Sequence, residues 1–113
     1  MLTVEKLKEF GANTEEGLGR CLGNEPFYLR MVGMALAEGD YDALKAALDA
    51  GDTKAAFEEA HKLKGVLGNL SLTPMYNCAV ELTEILRADS LEGADAAFEA
   101  LAGKRAELLA LSE

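Results

Sequence analysis

The stretch Asp52-Thr53-Lys54-Ala55-Ala56-Phe57-Glu58-Glu59-Ala60-His61-Lys62-Leu63-Lys64-Gly65-Val66-Leu67-Gly68-Asn69-Leu70 decides the fold. Ala56, Ala60, Leu63, Leu67 and Leu70 recur at steps of three and four, the spacing of one face of an α-helix. Gly51 reads as a stop for the preceding segment and Asp52 as a new start. The apolar seam is narrow, so the pattern predicts a helix with one buried stripe and a broad solvent-facing side. At about 100° per residue, His61 falls about 140° from the seam centre, Gly65 near ~180°, Gly68 near ~120° and Lys64 at about 80°. His61 is therefore expected to face water, with Lys64 at the border of the buried stripe.

Similar signals recur on both sides. Downstream, Thr73-Pro74 reads as a cap followed by proline in the first turn, and Met75, Cys78, Ala79, Leu82, Ile85 and Leu86 form a second stripe. Ser90 is expected to cap a last helix with Leu91, Ala94, Phe98, Leu101 and Leu108 inward. Arg105 interrupts that stripe, and its stem is expected to follow the bundle edge with its head in water. Upstream, Thr3 can cap a short helix ending at Gly11, and Asn13 with Glu16 resembles a capping box for a helix running toward Gly23. Asn24 precedes Glu25-Pro26, and the run from Phe27 to Val32 predicts a helix continuing to Gly39-Asp40. Asp40 would then cap a segment with Tyr41, Leu44 and Leu48 on one stripe.

The later links are short, and short links make consecutive helices antiparallel. The predicted fold is all-α: an antiparallel four-helix bundle from the segments around 26–50, 53–71, 74–88 and 91–111, with additional short N-terminal helices. Residues 1–113 are read as one domain, 1–23 capping one end and 26–111 forming the bundle.

Composition agrees. Half of the 113 residues are hydrophobic and only Pro26 and Pro74 are prolines, which favours helix over a β-sandwich. The net charge of −9, from 20 acidic and 11 basic residues, argues against nucleic acid and anionic membrane as partners. Cys21 and Cys78 have no metal-site spacing and are expected to behave as small core residues. No basic-then-apolar leader opens the sequence, and apolar runs such as Met34–Ala37 are too short to span a bilayer. A cytoplasmic monomer is the expectation.

His61 is the single histidine. Imidazole is nucleophilic when neutral, and its ordinary pKa of about 6.5 leaves a useful neutral fraction near neutral pH. A phosphoryl group on its nitrogen would add nearly two negative charges to an acidic chain. Lys64, three residues on, can offset them. Lys62 points to the other side and is expected to pair with Glu58, four residues earlier. Glycine inside a helix costs about 1 kcal/mol relative to alanine. Gly65 and Gly68 on the His61 side therefore suggest a bare backbone notch that another protein could enter.

The segment His61-Lys62-Leu63-Lys64-Gly65 resembles the core of the histidine phosphotransfer (HPt) domain family: histidine, any residue, leucine, lysine, glycine. Gly68-Asn69-Leu70 fits the family's glycine-asparagine-leucine-glycine, and Ala50-Gly51-Asp52 is a familiar approach to the histidine. Ser71 departs from the pattern where glycine is common, and Val66 and Leu67 are bulkier than usual. The resemblance implies a phosphorylated His61, supported by Lys64 and Gly65, with Gly68, Lys62, Glu58 and Asn69 on the docking face. It implies a phosphocarrier exchanging phosphoryl groups with response-regulator receiver domains or histidine kinases. It implies no stably bound cofactor on the chain itself, with the aspartate and the magnesium brought by the receiver. No P-loop and no kinase glycine-rich loop is present, so an autonomous kinase is not expected. Two alternatives remain at this level. One is a helical module that docks receivers without accepting phosphate. The other is a metal-binding bundle, for which Glu58-Glu59-Ala60-His61 offers only a single Glu-x-x-His spacing.

Overall fold

In the computed structural model, which describes all of residues 1–113, the chain forms seven helices and no strand. They are α1 (Val4–Phe10), α2 (Thr14–Arg20), α3 (Glu25–Ala35), α4 (Glu38–Asp49), α5 (Thr53–Asn69), α6 (Thr73–Arg87) and α7 (Ala94–Leu111). Four of the side-chain caps do what their residue types dictate. The oxygens of Thr3, Asn13, Asn24 and Asp52 accept from the backbone N–H groups of Lys6, Glu16, Phe27 and Ala55. Gly11 takes the left-handed conformation at φ 107° that closes α1.

Helices α4 to α7 make the bundle. α5 packs between α4 and α6, α7 packs on α6, and an α4–α7 contact closes the ring. The seam read from the sequence is the one buried: Ala56, Ala60, Leu63, Leu67 and Leu70 join Tyr41, Leu44, Met75, Leu82 and Leu101 in one continuous core. The N-terminal helices extend that core. Leu7, Phe10, Tyr28 and Val32 belong to the same cluster, and the buried Tyr28 hydroxyl donates to the Leu70 carbonyl at 2.8 Å. Burial pushes the Tyr28 phenol up to about 12.

Three boundaries differ from the sequence reading. The expected helix up to Gly39-Asp40 breaks at Leu36-Ala37, and Asp40 lies inside α4 rather than capping it. The cause is tertiary. Tyr41 Oη donates to the Ala35 carbonyl at 3.0 Å, and Arg105 Nε donates to the Leu36 carbonyl at 2.8 Å. The last carbonyls of α3 are thus satisfied from α4 and α7, and the chain is free to turn. Arg105 consequently does not hold its head in water: its guanidinium also lies 4.9 Å from the centre of the Tyr41 ring. Thr73 is the first residue of α6, not its cap, which is Leu72. Ser90 accepts only from Glu92 N, α7 begins after Gly93, and Leu91 is left exposed rather than inward.

Candidate functional site

α5 carries the site because its seam fixes its rotation. With Ala60 and Leu63 buried, His61 and Lys62 between them must point out, and both are exposed. Phe57, one turn earlier on the same face, stacks on the imidazole with ring centroids 5.8 Å apart and planes 18° from parallel. The Arg87 guanidinium, at the end of the antiparallel α6, lies 5.1 Å from the Phe57 ring centre. No group of three or more His, Cys, Asp or Glu side chains gathers as a metal-ligand set around it or elsewhere.

The two lysines beside His61 differ in availability. Lys62 is held by carboxylates on both sides, 3.1 Å from Glu59 and 3.4 Å from Asp40, and these raise its pKa. Its partner is therefore not Glu58, as the four-residue spacing suggests. Asp40 on α4 and Glu59 one turn back are the nearer anions, and Glu58 stays exposed. Lys64 is half-buried at the seam border and takes part in none of the six ion pairs of the chain. It is the free cation next to the histidine.

The two glycines also separate. A Cβ at Gly65 would meet nothing within 4 Å, so this backbone is open. A Cβ at Gly68 would come within 3.0 Å of Tyr76 Cε1. Gly68 is therefore not a bare notch: the Tyr76 ring of α6 lies over it, and its small size serves helix packing.

Beyond Lys64 and Gly65 a polar groove of about 510 Å³ opens between α2, α5 and α6, bordered by Arg20, Asn69, Tyr76 and Asn77. Its α2 wall is tied down. Arg20 Nη1 donates to the Gly68 carbonyl at 3.4 Å and to Asn69 Oδ1 at 3.3 Å, while Arg20 Nη2 pairs with Glu16 at 3.2 Å. Glu16 Oε1 also accepts from Ser71 Oγ at 2.8 Å. Asn69 is thus already engaged within the chain. Ser71 sits at φ 57°, the left-handed region that favours glycine. Glycine would hold that conformation without strain; the serine holds it and donates a hydrogen bond to the Glu16 carboxylate.

Residues 31–111 match the Hpt domain family. The chain belongs to that family. No curated protein and no solved structure matches it. As an Hpt domain it is a phosphotransfer module of two-component signalling, of a family whose members are phosphocarriers rather than autonomous kinases and meet receiver or kinase partners. The matched region begins at Met31 inside α3, so α1, α2 and the Arg20–Glu16–Ser71 tie lie wholly or partly outside it. No helix is long and apolar enough to cross a membrane.

Of the residues expected from the sequence, His61 and Gly65 are exposed on α5, while Lys64 is half-buried at the seam border and lines the groove beside Gly65. Phe57 was legible in principle, since it stands four residues before His61. Arg87, Tyr76 and Arg20 were not, because each reaches α5 from another helix.

Proposed function

We propose that His61 of this Hpt domain is the phosphorylated residue, accepting and returning a phosphoryl group from receiver domains of response regulators or of a hybrid histidine kinase. The observation that carries this is the placement of the chain's single imidazole on an exposed helix face beside the unpaired Lys64 and the open backbone of Gly65.

The step balances without further groups from this chain. The lone pair of a neutral imidazole nitrogen attacks the phosphorus of the partner's aspartyl phosphate. The N–P bond forms as the acyl P–O bond breaks, and aspartate leaves as a carboxylate. The other ring nitrogen keeps its proton and can release it to water. Such transfer depends on in-line positioning and charge neutralisation. Lys64 supplies a cation within reach of the phosphoryl oxygens, and Gly65 lets the partner approach the helix backbone. Magnesium is assigned to the receiver, and the setting is assigned to the cytoplasm.

The test is transfer of label from a phosphorylated receiver. His61→Gln should take none while remaining folded, and wild-type label should be acid-labile and base-stable. Lys64→Ala should label more slowly, by up to ~10²-fold and by less because the site is open to solvent. Lys62→Ala should change little. Label persisting on His61→Gln would place the chemistry on another residue. Binding of the receiver without any transfer to wild type would instead favour a docking module.

A further inference from the structure

Phe57 and Arg87 form a relay of contacts that ends on the imidazole. Phe57 stacks on His61 from within α5, at 5.8 Å between centroids and 18° between planes. This lies inside the range of about 4.5–7 Å in which aromatic pairs attract as offset stacks. Arg87 comes from α6 and sets its guanidinium 5.1 Å from the Phe57 ring centre, while its Nε lies 3.3 Å from Glu84. Phe57 is only partly buried and Arg87 is exposed, so neither is a main element of the core.

We propose that Phe57, steadied by Arg87, is a positioning residue that presets the ring plane of His61 for phosphoryl transfer. This rests on the assignment of His61 as the phosphorylated residue. The nitrogen lone pair lies in the plane of the imidazole, so the N–P bond must form in that plane. In-line transfer then requires the partner's phosphorus and leaving oxygen to lie along the same direction. The terminal torsion of histidine is broad when nothing restrains it. An exposed imidazole would sweep its lone pair across a wide arc, and a docked receiver, whose phosphoryl group is fixed, would meet it correctly only part of the time. Stacking on Phe57 narrows that arc and covers one ring face, so the imidazole is presented by its edge. Arg87 limits the movement of the Phe57 ring, which ties the orientation of a side chain on α5 to α6.

The experiment compares two phosphodonors on wild type, Phe57→Leu, Phe57→Tyr and Arg87→Ala. One donor is a phosphorylated receiver domain, whose phosphoryl group is fixed by docking. The other is phosphoramidate, a small donor that can approach the imidazole from any direction and releases ammonia as its N–P bond breaks. Receiver transfer should slow roughly tenfold in Phe57→Leu and less in Arg87→Ala, the size expected for loss of orientation in a preorganised site. Phe57→Tyr should stay within about twofold of wild type, because the aromatic face is kept. Phosphoramidate labelling should stay within about twofold for all, since a diffusing donor needs no preset plane. The His61 ring-proton NMR signals should also shift in Phe57→Leu as the Phe57 ring current is lost. Receiver transfer at the wild-type rate in both Phe57→Leu and Arg87→Ala would overturn the proposal. So would a fall in phosphoramidate labelling by the same factor as receiver transfer, which would indicate damage to the helix. Failure of wild type to take label from either donor would overturn the phosphocarrier reading itself, and this one with it.

Discussion

Gly65→Ala should make the protein more stable and a worse phosphocarrier. Gly65 sits well inside the 17-residue α5, and a Cβ there would contact nothing within 4 Å. The folded state therefore gains no clash, while the unfolded chain loses the extra freedom of glycine. The helix-propensity difference is about 1 kcal/mol in favour of alanine, which for a domain of this size corresponds to a rise in melting temperature of roughly 4 °C. The added methyl projects from the helix face next to His61, where a partner backbone would approach most closely. Inserting one methyl into a fitted interface costs about 1–3 kcal/mol, or roughly five- to a hundred-and-fiftyfold in affinity. Thermal melts and calorimetric titration with a receiver domain measure the two effects on the same preparation. A Gly65→Ala protein that is more stable yet binds and transfers as wild type would refute the idea that the bare backbone serves docking. One that is less stable would refute the reading of the site as open.

Gly68→Ala should lack the stability gain, because its Cβ would stand 3.0 Å from Tyr76 Cε1 and the ring must shift; parallel urea melts of the two alanine variants check this. Leu63→Ala should cost about 2–5 kcal/mol, since Leu63 is buried on the seam, and a melt reads it directly. Ser71→Ala should be less stable than Ser71→Gly by about 1 kcal/mol: both lose the hydrogen bond to Glu16, but only glycine relieves the left-handed φ of 57°. Alkaline pH should weaken the bundle. Burial pushes Tyr28 and Tyr41 up to about 12, above the ordinary tyrosine value of about 10. Their contribution is thus complete below pH ~10 and is lost as pH rises toward ~12, by up to about 2 kcal/mol per tyrosine. Denaturant melts at pH 9 and pH 11.5 should show that loss, and Tyr28→Phe should reduce it.

What could be read from the sequence was local in origin. The register of α5 follows from Ala56, Ala60, Leu63, Leu67 and Leu70 alone. That register by itself exposes His61, because at about 100° per residue it falls about 140° from the centre of the seam. The caps at Thr3, Asn13, Asn24 and Asp52 were readable for the same reason: each uses an oxygen and an N–H three residues apart in sequence. The break at Leu36-Ala37 was hidden because Ala37 supplies no side-chain cap and the decisive donor, Arg105, is 69 residues away. The pairing of Lys62 with Asp40 was hidden likewise, since helix spacing reports only neighbours on the same helix.

Gly65 and Gly68 show where local reasoning stops. On an isolated helix the two are equivalent, one turn apart on the same side, and both read as a notch. Only the packing of α6 distinguishes them, by laying Tyr76 over Gly68 and nothing over Gly65. The same helix brings Arg87 to Phe57 at the opposite end of the site. α6 therefore acts at two points along α5: at Gly68 it fills space, and at Phe57 it limits the ring that stacks on His61. The side chains proposed for the chemistry lie on α5 and can be placed by counting residues. The geometry in which they are held depends on a neighbouring helix, so substitutions on α6 should alter transfer without touching the histidine.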